Sequence, residues 1–191
     1  GATARLYRVS FSGELGYEVN VPVERQRALY LALREAGRDL GLVSIGNRAL
    51  DSLRLEKSYG VWSAEFTQSD TPEMSGLDRH VAAHKGDFIG SAALLSRQGE
   101  PPPRRLVALE VAAIDAEASP HTAVKAAGKV AGYVTSAAFG HHVGKSLALA
   151  YVEMAVLNAG SELTVDILGE PRPARALATP AYDPDGVKLR S

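Results

Sequence analysis

The chain has 191 residues, 46% of them hydrophobic and 23% charged, with a formal net charge of -1. That length holds one medium domain or two small ones, and a near-zero charge gives no electrostatic case for nucleic acid or an anionic membrane. With no cysteine in the chain, disulfides, thiolate metal sites and cysteine nucleophiles are excluded, and the expected setting is the cytoplasm or, in a eukaryote, the mitochondrial matrix. No uncharged apolar run is long enough to span a bilayer and no signal peptide opens the chain. The start, Gly1-Ala2-Thr3-Ala4, reads as the edge of a fragment.

Residues 5–12, rich in aromatic and branched side chains, read as a strand that Gly13 breaks. Residues 15–21 alternate, with Leu15, Tyr17, Val19 and Val21 on one face and Gly16, Glu18 and Asn20 on the other. A helix follows over 24–40 with an apolar stripe of Leu29, Leu33, Ala36 and Leu40, closed by Gly41. A second helix is expected over 47–57, with Leu50, Leu53 and Lys57 sharing a face and Arg54 among them, and a short third over 90–98. Gly99-Glu100-Pro101-Pro102-Pro103 cannot continue a helix or a central strand, so it reads as a linker. Beyond it the pattern changes to short strands at 106–111, 130–137, 147–152, 163–168 and 174–178, a small β-barrel or sandwich. The expected division is an α+β part over 1–98, a linker over 99–103 and a β domain over 104–191.

Four features carry chemistry. Glu18 has Gly16 and Asn20 as its same-face neighbours. A carboxylate beside the gap a glycine leaves can accept two hydrogen bonds from a planar donor edge, such as that of a pterin or a guanine. The alternative is a solvated glutamate on an antiparallel sheet. Arg54 shares the apolar side of its helix, so it needs an acceptor, either a ligand or an internal carboxylate such as Asp51 or Glu56. Gly140-His141-His142-Val143-Gly144-Lys145-Ser146 resembles a phosphate loop one residue short, but strand-like sequence follows it where that loop needs a helix. His141 and His142 have no acidic or cysteine cluster beside them, so no metal site is expected. Asp87 stands before the third helix and can begin its turn.

Taken in order, these segments also resemble a known family. Arg8-Val9-Ser10-Phe11-Ser12-Gly13-Glu14-Leu15-Gly16-Tyr17-Glu18 resembles a signature of the aminomethyltransferases, whose simplest member is the T protein of the glycine cleavage system. Ala49-Leu50-Asp51-Ser52-Leu53-Arg54-Leu55-Glu56-Lys57 resembles a second signature, and Thr71-Pro72, Lys85-Gly86-Asp87-Phe88-Ile89-Gly90, the 140–152 segment and Tyr182-Asp183-Pro184 follow in family order. Leu55-Glu56-Lys57, Tyr59 and Trp62 are similar to the C-terminal folate-binding region of sarcosine and dimethylglycine dehydrogenases.

The resemblance implies an α+β fold: the second part of a folate-binding domain, then a C-terminal antiparallel β-barrel. It implies a tetrahydrofolate-dependent one-carbon transfer enzyme, of which this chain is a part that is inactive alone. The alternative is a non-catalytic folate-binding accessory or interaction module of the same fold. The implied partners are folate, a small N-methyl amine or aminomethyl donor, and an N-terminal half or a flavin domain; FAD enters only with the latter. Of the residues, Glu18 matches the family's pterin acceptor and Phe11 a folate-contacting tyrosine, with the hydroxyl lost. Tyr59 matches an aromatic folate contact, and Trp62 accompanies it. Arg54 matches an arginine with a structural or binding role. Leu50 stands where stand-alone transferases carry an arginine. The family's catalytic aspartate belongs to the N-terminal half, so no catalytic residue is assigned.

Overall fold

The structure, a computed structural model, describes residues 3–190. Gly1 and Ala2 of the expected fragment edge, and Ser191, lie outside the described residues. The chain opens with a two-stranded antiparallel ribbon, β1 (Arg5–Tyr7) and β2 (Glu18–Asn20), in the register Arg5↔Asn20, Leu6↔Val19 and Tyr7↔Glu18. Both strands are shorter than the expected 5–12 and 15–21. Serine hydroxyls offer the backbone another partner: Ser10 Oγ accepts the Gly13 N–H at 3.0 Å and Ser12 Oγ the Glu14 N–H at 3.5 Å. Gly13 completes the turn in the left-handed region at φ 86°.

The expected helix over 24–40 is broken in two places. A single 3-10 turn, Val23–Arg25, leads into α1 (Gln26–Ala36), which stops at Gly37; a second 3-10 turn, Arg38–Leu40, follows. Gly37 lies where any Cβ would meet Leu42 at 2.5 Å, and its carbonyl accepts the N–H groups of both Leu40 and Leu42 at 3.1 Å. The chain therefore folds back instead of continuing. Leu33 and Leu40, on the expected stripe, stay exposed, as do Leu6 and Val19 of the ribbon.

The next helix, α2 (Asn47–Glu56), stops one residue before the expected end and lies on the barrel. Its most buried residues are Ser52, Arg54, Leu55 and Glu56, whereas Leu50 and Leu53 are only half-buried. Two short helices follow. α3 (Pro72–Ser75) is capped by the Thr71 hydroxyl, which accepts the Met74 N–H at 3.3 Å, with Pro72 at the first helical position. α4 (Ser91–Ser96) occupies the middle of the expected 90–98, and Asp87 opens its turn by accepting from the Ser91 hydroxyl at 2.6 Å.

The second half is a closed antiparallel barrel. Its strands are β3 (Arg104–Val111), β4 (Ala123–Ala126), β5 (Lys129–Gly140), β6 (Lys145–Glu153), β7 (Leu163–Ile167) and β8 (Glu170–Leu177), hydrogen-bonded in the order β3-β6-β5-β4-β7-β8. Closure leaves no open sheet edge. Inside it pack Leu109, Val124, Val134, Ala150, Val152, Val165 and Ile167. β6 is buried from Ser146 to Val152 because both of its faces are covered. Ala148, Ala150 and Val152 join the barrel core, while Leu149 meets Leu55 of α2. A strand covered on both faces reads as a continuous apolar run, which Leu147-Ala148-Leu149-Ala150-Tyr151-Val152 is. One helical turn, α5 (Met154–Asn158), follows β6, and another, α6 (Val187–Arg190), ends the described chain.

Candidate functional site

Directly opposed residues of an antiparallel ribbon share a face. The register therefore sets Tyr7 beside Glu18, and both are exposed. Glu18 makes no hydrogen bond or ion pair among the described residues, so its carboxylate is available to an outside donor. Tyr7 was missed in the sequence because its place depends on strand register. The gap expected at Gly16 is filled by the chain itself: a Cβ there would lie 2.7 Å from the Val9 carbonyl oxygen. Gly16 thus serves a close backbone approach, and the open side is the Tyr7–Glu18 face. Phe11 is half-buried in the loop between the strands. Arg8, Val9, Ser10 and Gly16 of this loop border an open cavity of about 590 Å³ that Leu189 and Arg190 also line.

Arg54 lies behind a second group. Its side chain is 5% exposed, its Nε donates to Asp51 Oδ1 at 3.1 Å, and its Nη1 donates to the Tyr59 carbonyl at 3.1 Å and to Glu65 Oε2 at 3.4 Å. Glu65 is fully buried and also accepts the Val61 N–H at 2.8 Å and the Ser136 hydroxyl of β5. Of the two roles open to Arg54 in the sequence, the geometry supplies the internal ion pair. The pair ties the end of α2 to the loop that carries Tyr59 and Trp62 and, through Ser136, to the barrel. Tyr151 of β6 adds a tie, its hydroxyl donating to the Glu65 carbonyl at 2.8 Å. Tyr59 is half-buried and Trp62 is 75% exposed. No ring contact or hydrogen bond joins Tyr59 or Trp62 to Glu18 or Phe11 among the described residues, so ribbon and loop are two groups without a direct tie.

The 140–146 segment is a β-hairpin turn, with the Gly144 N–H donating to the Gly140 carbonyl at 2.7 Å, and it leads into β6, not a helix. Its amides are already occupied. Glu56 Oε1 accepts the N–H groups of His142 at 2.7 Å and Val143 at 3.1 Å. A carboxylate of the chain thus fills the place a phosphate would take. No group of three or more metal-ligating side chains is assembled among the described residues.

The C-terminal segment joins these parts. The Tyr182 N–H donates to the Glu56 carbonyl at 3.0 Å, its hydroxyl donates to the Glu14 carboxylate, and its ring meets that of His142 edge-on at 4.4 Å. Lys57 Nζ donates to the Asp183 carbonyl at 2.5 Å and to Oδ2 at 3.3 Å. The bond to Glu14 pushes the Tyr182 hydroxyl up to about 12, with the nearby Asp183 and Glu56 charges adding to it. A value raised in the folded state means that the contact contributes fully below the ordinary tyrosine range near 10 and is lost as pH rises through about 12. Ultraviolet titration of the phenolate should therefore show a late step that disappears in Tyr182→Phe and moves back toward the ordinary range in Glu14→Gln. A step unmoved in Glu14→Gln would rule out the contact in solution.

Helix α2 rests on a closed six-stranded antiparallel barrel, and a short two-stranded ribbon precedes it in the chain. Residues 1–85 match the GCVT N-terminal domain and residues 104–183 the glycine cleavage T-protein C-terminal barrel domain. Mitochondrial dimethylglycine dehydrogenase of Mus musculus is 36% identical over 174 residues, which are 91% of this chain and 20% of that protein. The aminomethyltransferase of Symbiobacterium thermophilum is 37% identical over 183 residues, 94% of this chain and 48% of that protein. The solved structure of glycine cleavage system aminomethyltransferase T from Bartonella henselae superposes with a TM-score of 0.83 at 27% identity, covering 94% of this chain and 50% of that one. The chain belongs to the glycine cleavage T-protein family. It spans about a fifth of the dimethylglycine dehydrogenase and about half of the aminomethyltransferase. Among the described residues no helix is long and apolar enough to cross a membrane.

Proposed function

We propose that this chain forms the folate-binding arm and the barrel of a tetrahydrofolate-dependent one-carbon transfer enzyme, in the manner of aminomethyltransferases and dimethylglycine dehydrogenases. The observation that carries the reading is Glu18. It is an exposed, unpartnered carboxylate with Tyr7 across from it, at the end of the family's Gly-Glu-Leu-Gly-Tyr-Glu motif. A carboxylate accepts from a planar donor edge, and an adjacent ring offers a stacking surface, so the two residues fit a pterin. Tetrahydrofolate supplies the nitrogens that take up the one-carbon unit. The protein's part here is to hold the ring system: Glu18 accepts, Tyr7 and Phe11 flank, Tyr59 and Trp62 line the second face, and Arg54 fixes the Tyr59 carbonyl. No residue of this chain is given the catalytic step.

The remaining assignments are extensions of this reading. The N-methyl amine or aminomethyl donor, and FAD where a flavin domain is present, belong to the whole protein in the cytoplasm or mitochondrial matrix. The exposed Leu6, Val19, Leu33 and Leu40 form a surface for the half of the aminomethyltransferases that this chain does not span. The division into 1–98, 99–103 and 104–191 accompanies it.

Calorimetric titration of tetrahydrofolate into the protein tests the reading. Glu18→Gln should weaken binding by about 1–3 kcal/mol, the scale of a hydrogen bond to a charged group. An unchanged affinity in the full-length protein would take Glu18 out of the site, and a full-length protein that ignores tetrahydrofolate would overturn the folate reading itself.

A further inference from the structure

We propose that Tyr182 and Asp183 are positioning residues for Glu18: the C-terminal segment clasps the Gly13 turn against the end of α2 and so fixes the strand that carries the ligand-facing carboxylate. This role rests on the reading of Glu18 as a folate acceptor.

The ribbon needs such a clasp. β1 and β2 are paired over three residues each, and an isolated two-stranded ribbon is marginal in water. Leu6 of β1, Val19 of β2 and Tyr17 before it are exposed, so within this chain the ribbon's anchorage comes from elsewhere. Firm anchorage is found at the turn before β2. Gly13 lies on the stem of Lys57, so close that a Cβ there would sit 2.2 Å from Lys57 Cγ. The other end of Lys57 is held by Asp183 through its carbonyl at 2.5 Å and its carboxylate at 3.3 Å, in a pair whose side chains are 4% and 11% exposed. Asp183 is itself fixed. It adopts φ 41°, and its two carboxylate oxygens accept the N–H groups of Val187 at 2.9 Å and Lys188 at 3.2 Å. Tyr182 adds the bond to Glu14, the residue after Gly13 and four before Glu18, while its own N–H is held by Glu56. A tail 168 residues away in sequence thus holds the turn from the far side.

The experiment uses Tyr182→Phe and Glu14→Gln in the full-length protein, read by amide hydrogen exchange and by calorimetry with tetrahydrofolate. Each variant should speed exchange over residues 13–20 while amides of α2 and the barrel strands keep their rates. Each should raise the tetrahydrofolate Kd by about three- to tenfold, the range of one net hydrogen bond, with no further rise in the double variant. In a Glu18→Gln background the Tyr182→Phe effect on Kd should vanish while its effect on exchange remains. A purely structural contact would weaken binding equally in both backgrounds. If wild-type protein binds tetrahydrofolate and Tyr182→Phe changes neither exchange nor Kd, the clasp is wrong while the folate reading stands. If the full-length wild-type protein does not bind, the folate reading fails and takes the positioning role with it.

Discussion

Arg54→Ala should lower the unfolding free energy by about 3–5 kcal/mol, the scale for removing one partner of a buried ion pair. Glu65 is the reason. It is fully buried, and Arg54 Nη1 at 3.4 Å supplies its countercharge. Without the guanidinium, Glu65 keeps the Val61 N–H and the Ser136 hydroxyl but carries an uncompensated charge in the interior. The Tyr59 carbonyl loses its donor as well. Asp51 suffers least, because its side chain is 50% exposed and water can replace the arginine. Replacing both Arg54 and Glu65 by apolar residues of similar volume should recover much of the loss, since the cost comes from the orphaned charge. Urea denaturation followed by circular dichroism decides the matter: the midpoint should fall with little change in slope. A loss below about 1 kcal/mol would mean that water reaches Glu65 and that the pair is a surface interaction.

The same ion pair shows where sequence reading ends. Asp51, three residues before Arg54 on one helix, was legible as a partner. Glu65 was not, because it comes into place only when the loop after α2 folds back and meets Ser136, 71 residues further on. Tyr7 escaped notice for a related reason. Strand pairing decides which residue lies across from Glu18, and the pairing is shorter than the alternation suggested because Ser10 and Ser12 capture the turn. β4 was passed over because Ala123-Val124-Lys125-Ala126 has one β-branched residue; its strand is imposed by β5 and β7 on either side. What was legible depended on local chemistry. The continuous apolar run of β6, the prolines before β3 and the ordered motifs around Glu18 each announce themselves over a few residues. The phosphate-loop resemblance at 140–146 failed as expected, and the structure adds the cause: Glu56 already holds the amides that a phosphate would need.

Leu149→Ala should cost about 2–5 kcal/mol, as large-to-small changes at buried leucines do. Leu149 is on a barrel strand, yet the cluster it joins is not the barrel core. It packs with Leu55 of α2 and with Ala138, with Leu106 and Ala108 against them. It is 2% exposed because α2 covers it. Ala138 and Ala108 are too small to refill the space, so the cavity should persist beneath the helix. Leu168→Ala is the matching control: that side chain is 92% exposed in the turn between β7 and β8, and its loss should stay within about 0.5 kcal/mol. A Leu149→Ala cost as small as that of the control would mean that α2 does not rest on β6 in solution. The consequence reaches the proposed ligand faces. Leu55 precedes Glu56 and Lys57, which hold the tail that clasps the Gly13 turn, and Arg54 beside it holds the Tyr59 loop. A helix loosened at Leu149 therefore disturbs both groups proposed to face folate at once, and on that proposal tetrahydrofolate affinity should fall although Leu149 touches neither.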